Sequence, residues 1–143
     1  MRTFNMRVGS YLKSLEESQN FTFDFLKISD KYFALLDFRT VKIWNNKKQN
    51  FEVSMTPRYL KALDCSKSIN NRFLALGGSK GKIMIWDWRQ NKIVKTLDSR
   101  VHKRVCSLAV LKKNYIAGGT EMLGVFVWNI SRGIIKFFSI KNL

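Results

Sequence analysis

The chain carries one histidine, His102, so any imidazole-based nucleophilic triad would have to run through that single residue. Its carboxylates, among them Glu16, Glu17, Asp30, Asp37, Asp64 and Asp98, are scattered over separate segments, and no pair stands at a spacing that suits acid and base work. The run Gly77-Gly78-Ser79-Lys80-Gly81-Lys82 has the glycines and lysine of a phosphate-cradling loop. The spacing before Lys82 is too short for one, however, Ile83 stands where a hydroxyl residue would hold magnesium, and strand-type residues follow where a helix is needed. It reads as a hairpin turn. Cys65 and Cys106 lie far apart in apolar segments without a partner at metal-ligand spacing, which predicts buried free thiols in a reducing compartment. These residues nominate no catalytic, cofactor or metal site, and the chain is expected not to be an enzyme.

Binding chemistry is better represented. Lys plus Arg number 26 against 10 Asp plus Glu, a formal net charge of +16 over 143 residues. A surface of that sign attracts polyanions such as RNA, acidic protein segments or anionic lipid. The competing explanation is compositional, since Lys accompanies many Asn, Ile and Phe, the usage of a genome poor in G and C. No apolar run approaches the roughly 18–20 residues of a membrane helix, and the first 18 residues lack the apolar centre of a secretory signal. An intracellular protein, cytoplasmic or nuclear, is the resulting expectation.

The elements that must position these residues follow from a repeat. Trp44, Trp86 and Trp128 are spaced 42 residues apart, and each closes a run of alternating bulky apolar residues. Upstream of each lies a second run (31–36, 72–78, 114–119) joined to it by a turn, and before that a third (23–29, 59–66, 104–112). A fourth follows each Trp. Val, Ile, Phe and Tyr dominate, and polar or Gly-containing breaks recur too often for a helical stripe. Each unit is therefore predicted to be four short strands, in repeats of about 19–55, 56–98 and 99–140. A further strand of the fourth type is expected at about 10–18, after a tail over 1–9.

Units of this length, with Trp86-Asp87 and the weaker Trp44-Asn45 and Trp128-Asn129, resemble the WD-repeat β-propellers. The resemblance covers about residues 10–140. It implies an all-β propeller segment of about three four-stranded blades, structural roles for Trp44, Trp86, Asp87, Trp128 and His102, and a function in holding partners together. The hydrogen-bonded residue set of that family is incomplete here: Lys80 replaces a usual turn Asp and only the third unit has a His. Packing is expected to dominate blade stability. Closed propellers have about 4–8 blades, so three cannot close alone, and missing blades or another chain would have to complete the ring.

With the strands of a unit named a to d from the inside out, one face collects the a–b and c–d turns. On it fall the candidate polyanion-binding residues Lys47, Lys48, Lys67, Arg72, Trp88, Arg89, Lys112, Lys113 and Arg132. Trp88 is a candidate to stack on an unpaired base, against the alternative of packing on the outer edge of its blade. The other face carries Arg39, Arg58, Arg100, Lys103 and Arg104 as candidates for docking an acidic partner. Protein–protein scaffolding is the first functional reading, and an RNA-associated or ribosome-assembly factor the second.

Overall fold

The computed structural model describes residues 22–37, 39–58, 62–112, 114–121, 124–133 and 135–139. The expected tail and the strand at 10–18 lie outside the described residues. Among the described residues twelve strands form three antiparallel sheets of four, each in simple sequence order. The first holds β1 (Thr22–Lys27), β2 (Tyr32–Asp37), β3 (Val41–Asn45) and β4 (Asn50–Met55). The second holds β5 (Leu63–Ser68), β6 (Phe73–Gly78), β7 (Lys82–Asp87) and β8 (Lys92–Asp98). The third holds β9 (Val105–Val110), β10 (Tyr115–Thr120), β11 (Gly124–Asn129) and β12 (Ile135–Ser139). A simple meander is what short links between β-branched and aromatic runs dictate.

The repeat extends to register. Trp44 faces Phe33, Trp86 faces Leu74 and Trp128 faces Ile116, the second residue of the neighbouring strand in each sheet. The innermost strand opens in each case with a bulge, whose extra residue is Phe23, Asp64 or Cys106. In the first two sheets a second irregularity falls beside the Trp, between Ile43 and Trp44 and between Ile85 and Trp86. Bulges increase local twist, so recurring bulges give the three sheets a common shape.

Common shape permits stacking. One core joins Ala34, Leu36, Val41 and Ile43 of the first sheet to Leu74, Leu76, Met84 and Trp86 of the second. Another joins Ala75, Ile83 and Ile85 of the second to Val105, Ile116, Phe126 and Trp128 of the third. Trp86 and Trp128 thus plug into the preceding sheet, on the face formed by the alternate residues of strands b and c, while Trp44 packs with Phe33, Leu35 and Phe51 of its own sheet. Gly118 makes room for this in the third sheet, because a Cβ there would lie 2.8 Å from the Trp128 ring. The innermost strands also meet, β1 with β5 and β5 with β9. The equivalent face of the third sheet, with Ala117, Val125 and Val127, meets no further sheet among the described residues.

The cysteines part company. Cys65 is buried, its thiol 3.2 Å from the Val105 carbonyl oxygen, while Cys106 is exposed. The prediction of two buried thiols is corrected at Cys106, because as the bulge residue it falls outside the ladder's alternation. Burial, with the Asp64 carboxylate second, pushes the Cys65 thiol up to about 12. Iodoacetamide at pH 8 is expected to label Cys106 and spare Cys65 until the protein unfolds, since the thiolate is the nucleophile. Peptide mapping by mass spectrometry after timed labelling checks this.

Candidate interaction surface

The turns that display the cations are built alike. The residue after each Trp is buried and caps the following c–d turn with its side-chain oxygen. Asn45 Oδ1 accepts the Lys47 and Lys48 N–H groups at 3.0 Å, Asp87 Oδ1 accepts that of Gln90 at 3.2 Å, and Asn129 Oδ1 accepts that of Arg132 at 2.9 Å. An Asx side chain is favoured here because its acceptor reaches its own backbone two or three residues on. The requirement is an oxygen, not a charge, which is why Asn replaces Asp twice. Each of these turns ends on a left-handed residue, Gln49 (φ 56°), Asn91 (φ 51°) or Gly133 (φ 69°). The backbone N–H groups of Asn46, Trp88 and Ile130 then donate to Lys31, Arg72 and Asn114, tying each c–d turn to the a–b turn beside it.

The Trp side chains differ in their polar ends. Trp86 Nε1 donates to Asn91 Oδ1 at 3.2 Å. Trp128 Nε1 is buried and has no partner among the described residues, because the position equivalent to Asn91 is Gly133. Trp44 packs against Phe33 and Phe51, with the latter ring edge-on at 5.0 Å.

Within the face of a–b and c–d turns, Lys47, Lys67, Lys112 and Arg132 are exposed and form no ion pair among the described residues. Lys48 lies 3.5 Å from Glu52, and Arg72 is held by Asp87 at 2.7 Å. Arg89 is exposed and stacks on Trp88, its guanidinium carbon 4.6 Å from the ring centre. Lys113 lies outside the described residues. Trp88 offers no free ring to a base: it is 2% exposed, packs on Tyr32 with ring centres 4.8 Å apart, and donates Nε1–H to the Asn71 carbonyl oxygen at 3.1 Å. Nor does it sit on the outer edge of its blade, because that contact places it between the first and second sheets. A Trp among turn residues gives no signal of direction, whereas Tyr32 one repeat earlier supplies the ring it needs.

On the other face Arg39, Arg58, Arg100, His102 and Lys103 are exposed. His102 makes no hydrogen bond among the described residues, so the knitting role implied by the family resemblance has no counterpart there. Arg104 lies 3.7 Å from Asp64 of the second sheet and 3.9 Å from Glu121 of the third. Asp64 first, and Glu121 more weakly, push its guanidinium further above its already high range. Arg104 is a strap between sheets more than a free docking cation. Sequence reasoning missed this because its two partners lie on separate repeats. It also missed the capping oxygens, which the Trp-Asp and Trp-Asn dipeptides signal directly.

Neither a protein-family model nor a curated protein matches the sequence. Solved structures do match. The chain is similar to the WD40 propeller domain of Doa1, with a TM-score of 0.72 and 16% identity, over 80% of this chain and 39% of that one. It is similar to the WD40 repeats of RRP9 (TM-score 0.67, 20% identity, 76% and 33% covered) and to U3-55K (TM-score 0.66, 20% identity, 76% and 34% covered). The chain spans a third to two-fifths of the length of these structures. With four-stranded meanders stacked face to face, and Trp86 and Trp128 each plugged into the preceding sheet, it has the WD40 β-propeller fold, with three consecutive blades among the described residues.

Proposed function

We propose that the chain is a protein–protein interaction scaffold with no catalytic step of its own. The observation that carries this reading is the construction of its turns, in which buried Asx caps fix the backbone of turns that carry exposed cations such as Lys47, Arg89 and Arg132. Rigid scaffolds that present variable loops suit recognition, and the Val125 and Val127 face, which meets no further sheet among the described residues, is to be completed by a further blade of this chain or of another. An acidic protein partner matches the charge. The test is proximity labelling with the wild-type chain and a K47E/K67E/K112E/R132E variant. Neighbours lost in the variant at unchanged melting temperature support the reading, and an identical set rejects it.

RNA association is the second reading, favoured by the same four exposed cations. Four phosphate contacts would give log K a slope of about −3 against log salt for a single strand. Anisotropy titrations of a single-stranded RNA 20-mer at several salt concentrations should show that slope, and the quadruple variant should flatten it. A salt-independent or unmeasurable affinity at low salt removes RNA from consideration.

A further inference from the structure

Between the second and third blades a cavity of about 640 Å³ opens where the basic turn face meets the outer edge. Its apolar lining is Ile69, Phe73, Ile85, Val110, Leu111 and Ile130, and Val94 and Lys95 stand at its rim. The same place between the first and second blades is filled. Ile28, Tyr32 and Ile43, one repeat earlier than Ile69, Phe73 and Ile85, are covered there by Trp88, which occupies the position of Ile130. The cavity therefore exists because Ile130 stands where the preceding repeat has an indole. The molecule itself displays the group that fits: an aromatic ring packed on the residue equivalent to Phe73, with an N–H directed at a turn carbonyl oxygen.

We propose that this inter-blade cavity binds an aromatic side chain, Trp above all, of an acidic peptide segment of a partner protein. The cavity is within the size range of ligand sites, and an aromatic side chain buries about 150–250 Å². Val94 and Leu111, each 46% exposed, leave the entrance open. Charge selects the flanking residues. Lys95 reaches across the groove to the Ser131 carbonyl oxygen at 2.6 Å, the exposed Lys112 and Arg132 directly follow the lining residues Leu111 and Ser131, and no carboxylate lines the cavity among the described residues. The corresponding rim position in the filled groove, one repeat before Val94, is Glu52. Exchanging that carboxylate for Val94 suits an acidic ligand. This proposal deepens the scaffold reading; it rests on the apolar cavity, and of the four turn cations tested above only Lys112 and Arg132 adjoin it.

The probe is a fluorescein-labelled Asp-Asp-Trp-Asp-Asp peptide followed by anisotropy, with Asp-Asp-Ala-Asp-Asp and Lys-Lys-Trp-Lys-Lys as controls. The wild-type chain is expected to prefer the acidic Trp peptide at least tenfold over either control. Ile130→Trp should fill the cavity, abolish that preference and raise the melting temperature. Val94→Glu at the exposed rim should weaken the acidic Trp peptide at least tenfold while leaving the fold intact, which keeps the test decisive where Ile130→Trp folds poorly. Equal binding of the Trp and Ala peptides, or retention of the preference in Val94→Glu, overturns the proposal. The K47E/K67E/K112E/R132E variant should keep the Trp-over-Ala ratio even where its overall affinity falls, so the cavity and the turn face fail independently.

Discussion

Trp86→Ala is expected to lower unfolding stability by about 3–5 kcal/mol, the usual cost of removing a fully buried aromatic side chain from a core. Trp86 is 0% exposed and lies among residues of two blades, so its loss empties a cavity on both sides of the interface. A domain of this size has only about 5–15 kcal/mol in total, and a stack of repeats depends on its nearest-neighbour interfaces. A large part of the population should therefore unfold, or the first blade should separate from the rest. Urea midpoints read by tryptophan fluorescence and by far-UV circular dichroism check this, and a loss below about 1 kcal/mol would contradict the packing described.

Conservative replacement separates the two buried indoles. Trp86→Phe removes the hydrogen bond to Asn91 and leaves that amide oxygen short of a donor, whereas Trp128→Phe removes an N–H that has no partner among the described residues. Trp86→Phe should be worse by about 1 kcal/mol, the net value of a hydrogen bond. Gly133→Asn should narrow the gap by restoring an acceptor at Trp128, because Asn tolerates the left-handed conformation that Gly133 adopts.

The blades were legible because their signal is repeated. Alternation in any one run, such as 31–36, is ambiguous, but three Trp residues at one interval fix strand order, turn positions and the direction of each sheet together. The loss of information begins where contacts cross between repeats. Arg104 is one cation among several on its face until Asp64 and Glu121 are brought to it from separate sheets. Trp88 has the composition of a ligand-stacking ring, and only its apposition to Tyr32 shows that the protein already uses it. The inter-blade cavity is likewise invisible in any single repeat. It is the difference between Trp88 and Ile130 at matched positions, and it acquires meaning once sheet stacking is known.

The second large effect concerns the only Asp among the three capping residues. Asp87 is 1% exposed, while Arg72, its partner at 2.7 Å, is 47% exposed. Removing the cation leaves a carboxylate in the blade with the Gln90 N–H as its remaining donor shown. Breaking such a pair from one side costs about 3–5 kcal/mol when both ions are buried. Here water reaches Arg72, so Arg72→Met is expected to cost about 2–3 kcal/mol, nearer the value for an unsatisfied buried acceptor. Asp87→Asn should be mild by comparison, below about 1 kcal/mol, because Asn45 and Asn129 already cap the equivalent turns with an amide oxygen. The double variant Arg72→Met with Asp87→Asn should then recover most of the loss, giving a positive coupling in a double-mutant cycle measured by urea unfolding. If the two losses simply added, the Asp87 charge would not be what Arg72 serves. The cap oxygen would then be the whole contribution of this position to the blade.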